Sequence, residues 1–258
     1  MNPPLERLKL VLAYDGRPFS GWQSQPNANG VQDHLKTAVR AVSGLDLVVV
    51  GSGRTDAGAH ALGQVAHVDV PSGEYGPDVW RRALNAHLPA TIRILRCQPV
   101  PATFHAQHAA KRKAYLYRVW LHESLHPLEI GRAWHFPWPI TLAPLVRAAG
   151  RLVGTHDFAA FAANRGKPEL STVRTLYHVR VRRTGLLLTL RFEGNGFLYR
   201  MVRLLTGSLL QVGTGRKNFA WLERLLTAPG AGKTNHCAPP EGLYLESVKY
   251  RGGYPPNP

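Results

Sequence analysis

Sulfur and acid are scarce in this chain. Its 258 residues include two cysteines, two methionines and sixteen Asp plus Glu, against thirty-two Lys plus Arg. Cys97 and Cys237 stand far apart and lack metal-type spacing, so neither a disulfide scaffold nor a zinc knuckle is expected. That usage suits a chain kept reduced in the cytoplasm. No apolar run reaches about eighteen residues, so no transmembrane helix is expected, and the polar start MNPPLERLK does not read as a signal peptide. A basic low-complexity tail is also missing, so the charge belongs to folded elements.

What is present is a large and uneven positive charge. The net charge is +16. Residues 1–80 hold eight acids and six bases, whereas residues 81–258 hold eight acids and twenty-six bases. A field of one sign concentrates anionic partners. The bases are spread over several elements rather than along one amphipathic helix, which favours nucleic acid over a membrane surface. At this length the chain suits one large domain or two small ones.

Periodicity gives the elements. Leu8, Leu10, Leu12 and Tyr14 alternate with Lys9, Val11 and Ala13, predicting a strand that ends at Asp15-Gly16. Val31–Val42 has helical spacing closed by Gly44. Strands are expected at Val48–Val50, Gln64–Val70, Ile92–Val100, Lys113–Leu121 and Leu243–Tyr250, with a hairpin over Thr175–Glu193. Helices are expected at Pro77–Leu88, Leu142–Val153, Gly196–Val212 and Phe219–Leu226, and a frayed end at 255–258. The pattern predicts an α+β fold of two mixed sheet-and-helix subdomains with largely antiparallel sheets. They are residues 1–105 and the basic residues 106–258, with a basic cleft between them.

Two motifs are misleading. His122-Glu123-Ser124-Leu125-His126 matches the zinc-protease pattern, but it follows an alternating strand, and Pro127 drives His126 from helical geometry. Residues 227–234 almost spell a phosphate-binding loop, yet they follow a helix, lack the first glycine and precede a proline-rich stretch. A basic, mobile loop presenting Lys233 is expected there.

The informative run is Gly53-Arg54-Thr55-Asp56-Ala57-Gly58-Ala59-His60. Asp56 is the one carboxylate between Asp46 and Asp69, at the end of an apolar strand-like segment and two residues from an arginine. A carboxylate without a second acid or metal is suited to act as a nucleophile. An aspartate of an Asx turn, paired with Arg54, has the same spacing. Spacing alone leaves both readings open.

Arg54–Ala61 resembles the catalytic signature of the tRNA pseudouridine synthase A (TruA) family. Further blocks agree in family order: Tyr14-Asp15-Gly16, Phe19–Gln23, Asn85–Pro89, Phe104-His105-Ala106, Lys113–Tyr117, Met201-Val202-Arg203 and Glu241–Leu245. The departures are Ala59 for the usual valine, His87 for asparagine and Leu204 for a frequent asparagine. The resemblance implies a pseudouridine synthase fold and isomerisation of uridine to pseudouridine at positions 38, 39 and 40 of the tRNA anticodon stem-loop. It implies no cofactor or metal, a homodimer, and Asp56 as nucleophile. Arg54 would help to open the stem, Tyr115 would stack on the flipped uracil, and Arg203 would pair with the carboxylate. Leu243 and Leu245 would line the uracil pocket. A non-catalytic binder of structured RNA is the alternative that the composition also allows.

Overall fold

The computed structural model describes residues 4–26, 28–73, 75–164, 166, 170–228, 230 and 232–251. The terminal stretch 255–258 lies outside them. Two compact units emerge: Met1–Lys111 resuming at Leu245, and Arg112–Tyr244. Sequence order places the division at 105/106, with the last strand in the second half. The units divide six residues later, and the last strand joins the first unit through a pairing that chain order cannot reveal.

In the first unit, β1 (Leu5–Tyr14) lies between antiparallel partners β3 (His60–Pro71) and β4 (Ile92–Val100). Strand β10 (Leu243–Tyr250) follows β3 in the order, and the two-residue β2 (Val50–Gly51) also pairs with β3. Leu8, Leu10 and Leu12 are fully buried on one face of β1. Each such side chain contributes about 1.5–3 kcal/mol by leaving water. Helix α1 (Val31–Ser43) buries Val31, Leu35, Ala38 and Val39, and α2 (Pro77–His87) buries Trp80 and Leu84. Gly44 ends α1 with φ at 72°, the left-handed cap that favours glycine.

The other face of β1 is partly polar. Lys9, almost fully buried, lies opposite His67 of β3 and over the rings of Phe104 and Tyr250. Burial, and then Arg96, lower its pKa to about 8. Segment 101–109 closes over this face: Arg7 forks onto Asp69 and donates to the carbonyls of Ala102 and Phe104, and the Ala106 amide donates to His67 Nδ1.

The second unit orders its strands β5 (Ala110–Trp120, from Arg112 on), β9 (Leu187–Gly194), β8 (Val173–Thr184) and β7 (Gly154–Asp157). All three of these pairings are antiparallel, and β6 (Trp134–His135) adds to β5 in parallel. Helices α3 (Leu142–Arg151), α4 (Met201–Gly213) and α5 (Phe219–Thr227) complete it. Helix α4 is apolar around nearly its whole circumference and is buried accordingly.

Several boundaries differ from expectation. The Val48–Val50 strand reduces to Val50–Gly51, with Val48 exposed and the Val49 carbonyl taken by Gln32 Nε2 of α1 rather than by a neighbouring strand. The helix expected from Gly196 starts at Met201. Arg200 adopts a left-handed φ of 57°, which a continuous helix does not allow, and Asn195 is tied to Thr175 of β8. Residues 122–124 form a bend and 125–126 are irregular rather than helical, and His126 caps a 3-10 turn by accepting from the Leu128 amide. Strands β6 and β7 were not expected, since two and four residues carry too little periodicity.

Candidate active site

Asp56 lies in the middle of the connection from β2 to β3, and its neighbours are fixed from several directions. The Trp22 amide donates to the Thr55 carbonyl at 3.1 Å, and the Thr55 hydroxyl hydrogen-bonds the Tyr14 hydroxyl at 2.7 Å. Gln64 Nε2 donates to the Gly53 carbonyl at 2.7 Å. On the far side of Asp56, the Ala59 amide donates to the Asp56 carbonyl at 3.1 Å, closing a turn in which Gly58 has φ at 79°. The Gly16 amide donates to His60 Nδ1 at 3.1 Å. Asp15 also faces that nitrogen at 3.4 Å. Arg17 holds Asp15 on the other side, chiefly through its hydrogen bond, and its carboxyl lies below the usual range.

Two glycines allow these close approaches. A Cβ on Gly16 would stand 1.9 Å from the Ala59 carbonyl oxygen, and one on Gly21, whose φ is 93°, 2.6 Å from the Thr55 carbonyl oxygen. Tyr14 is buried, and burial pushes its hydroxyl pKa up to about 12 against the lowering effect of its bonds to Thr55 and Gln64. It therefore stays neutral and acts as a fixed strut. The Asp56 residue is half-buried and Arg54 is exposed. No ion pair joins the two among the described residues. Spacing had allowed a turn aspartate tied to Arg54. In the structure Ala59 closes the turn onto the Asp56 carbonyl, and Arg54 is exposed.

Tyr115, Arg203 and Leu243 lie in the second unit. Tyr115, buried, meets Phe197 edge-on at a centroid distance of 4.9 Å. Two residues along, Tyr117 donates to the Pro239 carbonyl at 2.5 Å, and its pKa is raised well above the ordinary value by burial. Arg203, 9% exposed on the first turn of α4, donates through Nε to the Ala238 carbonyl at 2.7 Å. The Ala238 amide returns a bond to the Arg203 carbonyl at 3.1 Å. Ser208 donates to Thr234 at 2.9 Å, and a Cβ on Gly207 would stand 1.8 Å from the His236 carbonyl oxygen.

Residues 234–239, the stretch that follows the expected basic loop, are thus laid along α4. Glycine and serine on α4 let the strip approach, and the strip supplies the carbonyl that positions Arg203. Lys233, next to it, is exposed. A Cβ on Gly242 would meet the Tyr117 ring at 2.6 Å, so the turn before β10 also rests on β5.

Asp56, Arg54 and Leu245 therefore belong to the first unit, and Tyr115, Arg203 and Leu243 to the second. Leu243 and Leu245 are buried. Tyr244 is buried as well, and its hydroxyl donates to the Arg132 carbonyl. Sequence reasoning gave Tyr14, Trp22, Gln64 and His60 no individual role, although Tyr14-Asp15-Gly16 and Phe19–Gln23 stood among its blocks. Lys113 was passed over in the same way. It is half-buried, and burial lowers its pKa to about 8. Among the described residues no three His, Cys, Asp or Glu side chains come together as a metal-holding group.

The first unit thus holds a carboxylate on a braced loop, and the second, more basic unit holds a buried tyrosine and a buried arginine. A family model described as tRNA pseudouridine synthase matches residues 10–108 and 148–251. The chain belongs to that family. It is 44% identical to the tRNA pseudouridine synthase A of Akkermansia muciniphila, over 95% of this chain and 96% of that protein. The Nitrobacter winogradskyi protein of the same name is 40% identical, over 97% and 98%. That of Limosilactobacillus reuteri is 41% identical, over 95% and 96%. A solved Cbf5-Nop10-Gar1 complex is similar at a TM-score of 0.35 and 12% identity, covering 79% of this chain and 45% of that one.

Proposed function

We propose that this protein isomerises uridine to pseudouridine in tRNA, at positions 38, 39 and 40 of the anticodon stem-loop, with Asp56 as the nucleophile. The observation that carries the reading is the placement of Asp56, at the centre of a turn whose main chain is fixed on both sides. The reaction breaks the bond from N1 of the base to the ribose and forms one from C5. A proton leaves C5 and N1 gains one, so the base is conserved and neither oxidant nor water is consumed.

A stem uridine must leave its stack before a carboxylate can reach it, at a cost of a few kcal/mol. Arg54, exposed and unpaired with Asp56, is suited to occupy the vacated place or hold the flanking phosphate. Tyr115 offers an aromatic face, worth about 1–3 kcal/mol for a stacked base. Arg203 is the cation assigned to the Asp56 carboxylate, and Leu243 with Leu245 the apolar lining for uracil. We place the protein in the cytoplasm as a homodimer. Leu128 within the 3-10 turn Pro127–Glu129 and Ile130 just after it, 70% and 57% exposed, supply apolar surface for association.

The test is Asp56→Asn, with pseudouridine mapped in tRNA and tRNA binding measured in parallel. Loss of product with retained binding is expected. Undiminished product would overturn the assignment of Asp56. Product outside the anticodon arm would leave the chemistry and overturn the substrate position.

A further inference from the structure

The β8–β9 hairpin carries an arrangement that the isomerisation itself does not use. Residues opposite each other across a sheet share a face. Arg182 lies opposite Thr189, which lies opposite Arg118 of β5. In the next row Arg180 lies opposite Arg191, and Arg191 opposite Leu116. In the third, His178 lies opposite Glu193, and Glu193 opposite Ala114. One face of three strands therefore gathers Arg118, Arg180, Arg182 and Arg191.

The acids on this face are already engaged. Glu193 accepts from Arg191 at 3.0 Å and lies 3.7 Å from Arg112, which also stacks over Tyr177. Glu129 pairs with Arg118 at 2.8 Å. Arg180 and Arg182 are exposed, and no hydrogen bond or ion pair is made by their side chains among the described residues. Arg180 lies directly opposite Arg191, whose charge Glu193 already balances, so the charge left for an external anion on this face is that of Arg180 and Arg182.

We infer that this face is a docking surface for the phosphate backbone of the RNA substrate, with Arg180 and Arg182 as its principal contacts. The planar guanidinium forks match phosphate oxygens two at a time. Side chains two apart on a strand stand about 6.6–6.8 Å from each other, so neighbouring rows can hold separate phosphates. Reading the backbone through a flat sheet face positions an RNA without reading its sequence. The inference rests on the proposal that tRNA is the substrate.

The test uses the full chain with Arg180→Gln and Arg182→Gln together, and Arg183→Gln as a control on the opposite strand face. Binding to tRNA is measured over a salt series, and oligomeric state by sedimentation. We expect the double variant to bind more weakly and its log–log salt slope to fall by roughly one unit per arginine removed. The control should keep both affinity and slope near those of the unaltered chain. An unchanged slope in the double variant, or an equal loss in the control, would overturn the inference. So would a change of oligomeric state in the double variant, which would assign the face to contacts between copies of the chain. Pseudouridine formation by the unaltered chain tests the isomerase reading separately: product with an unchanged slope rejects this surface alone.

Discussion

The Asp56 loop and the β8–β9 hairpin use polar groups in opposite ways. Around Asp56, in the first unit, the polar groups are mostly neutral, buried and saturated: Tyr14 with Thr55, Gln64 with Gly53, Gly16 with His60. On the hairpin, in the second unit, Arg180 and Arg182 are exposed on a face that also carries the paired Arg191 and Glu193. Residues of the first unit comprise thirteen bases and nine acids, those of the second nineteen and seven. Position needs short hydrogen bonds in a low dielectric, where each lost partner costs about 1–3 kcal/mol. Attraction of a polyanion needs charge in water, where geometry is loose and salt screens it. A braced carboxylate and an exposed basic face therefore serve complementary tasks.

The largest test of that contrast is Gly16→Ala. The added Cβ meets the Ala59 carbonyl at 1.9 Å, so β1 and the Asp56 turn must part. Pseudouridine formation should fall below one-hundredth of the unaltered rate, about 2.7 kcal/mol in activation free energy, with tRNA binding largely kept. Binding lost as fully as turnover would erase the division of labour. Gly207→Ala probes the second unit in the same way. Its Cβ would lie 1.8 Å from the His236 carbonyl, displacing the strip that supplies the Ala238 carbonyl to Arg203. We expect thermal stability to fall by about 2–3 kcal/mol, read from melting curves, together with loss of turnover.

Acid should weaken the first unit through His67. Burial, followed by Arg7 and His105, lowers its pKa to about 4, and its Nδ1 already accepts the Ala106 amide. The unfolded chain takes up that proton near the ordinary value of about 6.5, before the folded chain does. Stability is therefore intact above pH 6.5 and is lost as the pH falls toward 4, by at most about 1.4 kcal/mol per pH unit from this residue. Melting curves across that range should show the slope, and His67→Gln should flatten it. Asp69, held below its usual range chiefly by the Arg7 hydrogen bond and least by His67, should keep most of its share in the variant.

The smallest effect is expected from Tyr14→Phe, which removes only the hydroxyl bonded to Thr55. Stability should drop by about 1 kcal/mol. The rate at saturating tRNA should fall about tenfold with little change in KM, because the loop would be less well placed rather than less charged. A rise in KM alone would place Tyr14 in substrate binding instead of loop positioning.

Much of this was legible in the residues. Alternation located β1, β4 and β5, and a 3.6-residue period located α1, α2 and α5, since one buried face per element imposes those spacings. The first turn of α4 was misjudged because glycine and aromatic residues at 196–199 continue an apolar pattern that Arg200 interrupts by its backbone conformation alone. The packing of strip 234–239 was not legible because what holds it, Gly207 and Ser208 on α4, is remote in the chain.

The sequence by itself determined the uneven charge, the order of the elements and the run in which Asp56 sits, because composition and local periodicity are properties of neighbouring residues. Only the tertiary structure decided that Tyr14 and Gln64 brace that run, that β10 returns to the first unit, and that arginines of two strands share one face. Each of these depends on which distant segments pair and in what register. That is settled by the burial and hydrogen bonding of the chain as a whole.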